Sequence, residues 1–223
     1  MVGRPEAVLF DLDGTLIDST QAIVESFFHT FDTLGRPRPA REAIIAAIGH
    51  LLEDQFRRFW PGCDAALCAR VYREHYAKAA CAGTFLLPGA RETLDALRAA
   101  GLRLGFATSK RRLYAEMILE DQRVLDYFAA RIGPDDVTHA KPHPEAILRA
   151  AADLNAAPAA TYVVGDTPFD VLAARAAGAL CLCVTTGPAT RTELEALGPE
   201  AVYDDLEGVA LHILARCGPA RRS

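Results

Sequence analysis

Four runs of apolar, β-branched or aromatic residues recur along the chain, and each one ends in a cluster of polar residues. The runs are AVLF at 7–10, LRLGFA at 102–107, TYVVG at 161–165 and ALCLCV at 179–184. Short apolar runs bounded by turn residues are typical of strands. We therefore predict four strands, which the polar stretches DLDGT, TSK, DTPFD and TTG follow in turn.

Amphipathic helical patterns separate these runs. They cover 88–101, 144–154 and 171–178, and the first begins with Pro and ends with Gly, as helices commonly do. Alternating strands and helices predict an α/β fold with a Rossmann-like, doubly wound parallel sheet and helices on both faces. Ligands of such sheets bind at the carboxyl ends of the strands, where the polar clusters are expected to lie.

The segment 17–84 breaks this alternation and contains no convincing strand. Its helical patterns cover 21–35, 41–60 and 64–80. An all-helical insert directly after the first strand predicts a small cap domain at 17–84, on a core domain formed by 1–16 and 85–223. The stretches near 16–20 and 83–88, where the chain passes between the two predicted domains, are the expected hinges.

Composition excludes several classes of protein. The 223 residues are 51% hydrophobic and carry a net charge of −5, which gives no electrostatic reason to expect nucleic acid or an anionic membrane as partner. No apolar run approaches the roughly 20 residues of a membrane span. Because strand-like sequence begins within the first ten residues, we expect no signal peptide and a cytoplasmic protein.

The first polar cluster places two acids one residue apart. In extended backbone Asp11 and Asp13 would face the same side, where their charges repel. A cation, a shared proton or water must therefore stabilise the pair. The sequence contains no EF-hand loop around Asp11 and no GxxxxGK[ST], GxSxG or HExxH motif.

Four clusters together indicate a family. DLDGTLIDS at 11–19, ATSK at 107–110, AKPHP at 140–144 and VGDTPFD at 164–170 occur in this order. In order and spacing they resemble the haloacid dehalogenase superfamily of phosphotransferases, and the chain looks most like the phosphoglycolate phosphatase-like branch with a helical cap. The resemblance spans Val8 to about Gly187.

The resemblance implies a role for each acid. Asp11 would be the nucleophile that forms an aspartyl-phosphate, and Asp13 the general acid that protonates the leaving alkoxide and later activates water. Asp166 would bind Mg²⁺ together with Asp11 and the backbone carbonyl of Asp13, which would resolve the repulsion between the two neighbouring acids. Asp170 has two interpretations, a further residue of the metal site or the capping-box partner of Thr167.

The same resemblance implies roles for the other motif residues. Thr108 and the Ser109 amide would bind the phosphoryl group at a strand-to-helix junction. Lys141 would orient the nucleophile and offset negative charge. Lys110 could attract an acidic substrate, and His50 could contact substrate from the cap.

The function that these expectations describe is that of a magnesium-dependent phosphomonoesterase for a small phosphorylated metabolite, with 2-phosphoglycolate as the first compound to test. Within the same family a phosphosugar mutase, a pyrophosphatase or a nucleotidase stays open. A catalytically silent binding module on this fold is the alternative from another class. The expected partners are a small-molecule phosphate monoester and, at most, a second copy of the chain in a homodimer.

Overall fold

The computed structural model describes residues 4–218 and shows an α/β fold. The strands are β1 Ala7–Phe10, β2 Ile17–Asp18, β3 Phe85–Leu86, β4 Arg103–Ala107, β5 Phe128–Ile132, β6 Thr161–Gly165, β7 Leu180–Val184 and β8 Ala201–Tyr203. The helices are α1 Thr20–Thr33, α2 Arg41–Ile45, α3 Leu52–Phe59, α4 Ala65–Ala79, α5 Ala90–Ala99, α6 Arg112–Asp121, α7 Glu145–Asp153, α8 Pro168–Ala177, α9 Arg191–Glu195 and α10 Leu206–Cys217.

Six strands form one parallel sheet in the order β5-β4-β1-β6-β7-β8. The chain winds from β1 towards β5 and then returns to continue from β6 towards β8. The two directions of winding meet at β1 and β6, which is where doubly wound sheets bind ligands. The predicted fold class and all four predicted strands are confirmed.

Strand β1 is buried on both faces of the sheet. Val8 and Phe10 pack in one hydrophobic cluster, whereas Ala7 and Leu9 pack in the other. This division follows from the alternation of side chains along a strand, and it explains why the run is apolar at every position.

Two further strands of the sheet were not expected from the sequence. Strand β5 lies at one edge and β8 at the other. In β5 only alternate residues are buried, and all three residues of β8 are partly exposed. Edge strands of this kind lack the continuous apolar run that marks the central strands.

The prediction that 17–84 contains no strand is wrong. Strand β2 pairs antiparallel with β3, with Ile17 opposite Leu86 and Asp18 opposite Phe85. This pair joins the two connections between the sheet and the four helices α1–α4, at the positions predicted as hinges. The domain boundaries and the hinge motion stay predictions.

The prediction of one helix over 41–60 is also wrong, since α2 and α3 are separate helices. Between them the chain turns at Gly49, whose φ is +98°. A Cβ at this position would lie 3.0 Å from Thr167 Cγ2. The backbone therefore approaches the β6–α8 loop closely here, in a conformation that favours glycine.

The helices α1, α3 and α4 pack around an aromatic cluster. The ring centroid of Phe27 lies 4.8 Å from that of Phe56 and 5.1 Å from that of Tyr72. All three side chains are buried, so α1–α4 have an apolar core between them. Within residues 4–218, no helix is both long enough and apolar enough to cross a membrane.

Candidate active site

Asp11 and Asp166 lie side by side at the carboxyl edge of the sheet. They follow β1 and β6, which pair in parallel with Phe10 opposite Val164, and the Asp11 amide donates to the Val164 carbonyl at 2.8 Å. Asp11 is 4% exposed and Asp166 is fully buried. With Asp170 they form a cluster in which one carboxylate oxygen from each residue lies within 4.8 Å of the others.

One oxygen of Asp166 has no hydrogen-bond partner. Oδ1 accepts from Thr15 Oγ1 at 2.6 Å, whereas the buried Oδ2 is unsatisfied within the described residues. A Cβ at Gly14 or at Gly187 would lie only 2.5 or 1.7 Å from this oxygen, so glycine is required at both positions. Because an unpaired buried carboxylate oxygen is costly, the donor set fits a hard divalent cation that prefers oxygen ligands.

The protonation of these acids reflects their burial. Burial raises the pKa of Asp11 to about 6, because the attraction of Lys141 only partly offsets the loss of water. Burial also raises the pKa of Asp166 well above its ordinary range, and the nearby Asp11 and Asp170 carboxylates add to this increase. A bound cation would favour the ionised form of both groups.

The structure places Lys141 against the predicted nucleophile. Its Nζ lies 3.2 Å from Asp11 Oδ2 and 2.6 Å from Asp170 Oδ1, and its side chain is 3% exposed. Burial opposes the charged ammonium, but the two carboxylates more than offset this cost and raise the pKa of Lys141. Lys141 is therefore a buried cation that holds the Asp11 carboxylate in place.

Both oxygens of Asp170 are engaged within the protein. Oδ2 accepts from the Thr167 amide at 3.1 Å and from Thr167 Oγ1 at 2.6 Å, which is the capping-box arrangement, and Oδ1 accepts from Lys141. The capping interpretation of Asp170 is confirmed. Its metal-site role stays a prediction, and the contacts show that it positions Lys141.

Asp13 is not part of the Asp11–Asp166–Asp170 cluster. Its carboxylate accepts from Ser19 Oγ and lies 3.0 Å from Lys110 Nζ, which in turn donates to the Tyr76 hydroxyl at 2.6 Å. Lys110 is thus paired with an acid of the site. Neither Ser19 nor Tyr76 was predicted from the sequence. Ser19 could have been found because it ends the first motif, whereas the helical pattern around Tyr76 carries no functional signal.

A cavity of about 350 Å³ lies between the sheet edge and the helices α1, α3 and α4. Of the predicted residues, those that line it are Asp11, Asp13, His50, Thr108, Ser109 and Lys110. Lys141, Asp166 and Asp170 are not among its lining residues. The cavity therefore gives access to Asp11, the predicted nucleophile, while Lys141 and the acids Asp166 and Asp170 are enclosed by protein.

Two predicted binding residues differ in their environment. Thr108 follows β4, is 5% exposed and accepts from the Lys110 amide at 3.2 Å, so its own hydroxyl proton is left to donate. His50 lies in the α2–α3 loop with its ring centroid 4.7 Å from that of Phe169. Burial, followed by the Arg58 charge, lowers the pKa of His50, which favours the neutral ring near pH 7.

The loop after β7 also contributes to the site. Thr186 Oγ1 donates to the Gly14 carbonyl at 2.6 Å, and Gly187 packs on Asp166. These residues lie in the TTG cluster that follows the fourth apolar run. The position of that cluster after a strand is the sequence feature by which they could have been found.

The fold and this site together define a class of hydrolases that carry acids at the switch point of a doubly wound sheet. The family model of haloacid dehalogenase-like hydrolases matches residues 8–184, and the chain belongs to this family of enzymes. The resemblance inferred from the four motifs is confirmed.

Proteins of similar sequence include proteins named phosphatase and pyrophosphatase. The chain is 38% identical to a probable phosphatase, IndB, of Dickeya dadantii over 94% of both chains. It is 33% identical to the pyrophosphatase PpaX of Bacillus mycoides, over 94% of this chain and 96% of the other. It is 30% identical to a phosphoglycolate phosphatase of Escherichia coli K12, over 89% of this chain and 88% of the other.

Solved structures agree with the fold. A haloacid dehalogenase-like family hydrolase from Streptococcus pneumoniae superposes with a TM-score of 0.86 at 28% identity, covering 94% of this chain and 98% of that one. A haloacid dehalogenase-like hydrolase from Bacteroides fragilis gives 0.85 at 32% identity, covering 92% and 99%.

Proposed function

We propose that the protein is a magnesium-dependent phosphomonoesterase that acts through an aspartyl-phosphate on Asp11. The observation that carries this proposal is that contacts within the protein hold both oxygens of the Asp11 carboxylate. Oδ1 accepts from the Leu12 amide at 2.8 Å and Oδ2 is held by Lys141, on a residue that opens onto the cavity. A carboxylate fixed in this way, with its charge partly balanced, is suited to attack phosphorus.

The reaction would take place in two steps. In the first, an Asp11 oxygen forms a bond to phosphorus while the bond to the leaving oxygen breaks, and Asp13 donates a proton to the leaving alkoxide. In the second, Asp13 accepts a proton from water as the water oxygen attacks phosphorus. This step releases phosphate and restores the Asp11 carboxylate.

The cation site would be formed by Asp11, Asp166 and the Asp13 backbone carbonyl, with Mg²⁺ as the expected ion. When bound, Mg²⁺ would neutralise charge on the phosphoryl oxygens and on the acids. The unsatisfied Asp166 Oδ2 supports this assignment. Thr108 and Ser109 would donate to the phosphoryl oxygens from the end of β4.

Relatives guide the choice of the first substrates. Because proteins named phosphoglycolate phosphatase and pyrophosphatase are about a third identical over most of the chain, 2-phosphoglycolate is the first compound to test and pyrophosphate the second. We also propose that the enzyme acts on small-molecule phosphate monoesters in the cytoplasm, as a monomer or homodimer.

The test is release of phosphate from 4-nitrophenyl phosphate, with and without Mg²⁺. We expect Asp11→Asn to lower kcat by at least about 10³-fold, since an amide cannot form the aspartyl-phosphate. Asp153→Asn changes an exposed acid on α7 and should leave the rate unchanged. A rate for Asp11→Asn close to that of the unmodified protein would exclude Asp11 as nucleophile. Isomerisation of a sugar phosphate without phosphate release would indicate a mutase instead.

A further inference from the structure

The cavity above Asp11 contains basic residues, but each of them is already paired with an acid. Arg73 lies 2.6 Å from Glu53, Lys110 lies 3.0 Å from Asp13, and Arg111 lies 3.5 Å from Asp135; all six residues line the cavity. His50, which also lines it, favours its neutral form because burial lowers its pKa. Within the described residues the cavity wall therefore offers no unpaired cation.

Aromatic and aliphatic side chains form much of the remaining wall. The rings of Tyr72 and Tyr76 stack at 5.4 Å with an angle of 14°, and Tyr114 meets Tyr76 edge to face at 5.3 Å. Ile48 and Leu52 lie on the same cavity. Such a surface favours a flat or apolar group over a small hydrated anion.

One neutral polar group on this wall lacks a partner. Gln55 lines the cavity and is 8% exposed; its Nε2 donates to the His50 carbonyl at 2.9 Å, but its buried Oε1 has no hydrogen-bond partner within the described residues. Gln55 therefore adds an uncharged polar side chain to the wall and no cation.

The size of the cavity leads to the same conclusion. A volume of about 350 Å³ falls within the range of roughly 300–1,000 Å³ typical of pockets that enclose drug-sized ligands. Glycolate, the leaving group of 2-phosphoglycolate, would fill little of it. Its carboxylate would also lose water beside Glu53 and Asp135 with no unpaired cation to receive it.

We propose that this site selects phosphate monoesters whose leaving alcohol is uncharged and of sugar or nucleoside size, and that it discriminates against acidic leaving groups such as glycolate. The selection rests on the proposed phosphatase activity and adds its substrate class. The tyrosine wall packs against the leaving group, and the wall offers no unpaired cation that would attract an acidic one.

The first experiment measures kcat/KM with Mg²⁺ for uridine 5′-monophosphate, glycerol 3-phosphate and 2-phosphoglycolate. We expect uridine monophosphate to exceed 2-phosphoglycolate by at least about tenfold. Glycerol phosphate, which is small but has an uncharged leaving group, should lie between them. If the enzyme hydrolyses 4-nitrophenyl phosphate but prefers 2-phosphoglycolate to uridine monophosphate, the proposed substrate class is wrong and the proposed phosphatase activity stands. No hydrolysis of any ester overturns the phosphatase proposal and, with it, this one.

The second experiment removes the acidic partner of a positively charged side chain on the cavity wall. Glu53→Gln removes the partner of Arg73, and we expect the variant to hydrolyse 2-phosphoglycolate several-fold better relative to uridine monophosphate, when the two substrates are compared by kcat/KM. Glu74→Gln makes the same change at an exposed position next to Arg73 and should not alter the ratio. Since both substrates are measured on one preparation, partial unfolding cancels in the ratio. An unchanged ratio in Glu53→Gln contradicts the proposed role of ion pairing.

Discussion

The two walls of the cavity differ in how they are built. The sheet edge places its acids on loops that directly follow adjacent strands, so that the backbone pairing of β1 and β6 brings Asp11 and Asp166 together. The opposite wall takes Gln55 from α3, Tyr72 from α4 and His50 from a loop, and only the packing of helices relates them. We infer that the first wall carries the chemistry common to the family and the second the selectivity particular to this chain.

The variant with the largest expected effect changes Lys141, the buried lysine at the sheet edge. Lys141→Met leaves the Asp11 and Asp170 carboxylates buried without their cation, which we expect to lower the free energy of unfolding by about 3 kcal/mol and to abolish turnover. Lys78→Met changes an exposed lysine of α4 and is the matched control. Thermal unfolding and phosphate release provide the two readouts. Equal losses in both variants would show that the Lys141 contacts contribute nothing specific.

A smaller effect should appear in the pH dependence of stability. Asp11 binds its proton more tightly in the folded protein, with a pKa of about 6 against 3.8 for the free side chain. Without Mg²⁺, the free energy of unfolding should therefore fall as pH rises from about 4 to 6, by on the order of 1 kcal/mol per pH unit for one proton. Asp11→Asn should remove this part of the slope, and Mg²⁺ should reduce it in the unmodified protein. Identical slopes for the two proteins in chelator would contradict the raised pKa.

The smallest expected effect compares Gly49, which lies on the cavity wall opposite the sheet edge, with Gly62 elsewhere in the helical segment. Gly49 and Gly62 both have positive φ, but only a Cβ at Gly49 would contact another residue, Thr167 Cγ2 at 3.0 Å. Substitution by Ala should cost about 1 kcal/mol of unfolding free energy at either position. Only Gly49→Ala should also raise KM, since it displaces the loop that carries His50. A similar KM in both variants would show that this loop takes no part in substrate binding.

The sheet could be predicted from the sequence largely because its central strands are buried on both faces. Val8 and Leu9 face opposite sides and are both fully buried, which gives an uninterrupted apolar run. Strand β5 includes the partly exposed Arg131, so its pattern resembles a loop. The break at Gly49 depends on contact with Thr167, far away in the sequence, and no local pattern records it.

The candidate site shows the same contrast. Asp11, Asp166 and Lys141 could be predicted to lie together because each belongs to one of the four motifs, whereas their catalytic roles stay predictions. The pairing of Lys110 with Asp13, by contrast, is visible only in three dimensions, and so is the unsatisfied oxygen of Gln55. A lysine in a sequence indicates a positive charge, but whether that charge is available to a substrate depends on the acid that folding places beside it.

The central claim is that Asp11 accepts the phosphoryl group. It is tested most directly by quenching the enzyme in acid during turnover with Mg²⁺, reducing acyl phosphates with borohydride, and identifying the modified peptide by mass spectrometry. We predict homoserine in place of aspartate at position 11, and its absence when substrate is omitted. Unmodified Asp11 together with a modified residue elsewhere would contradict the claim.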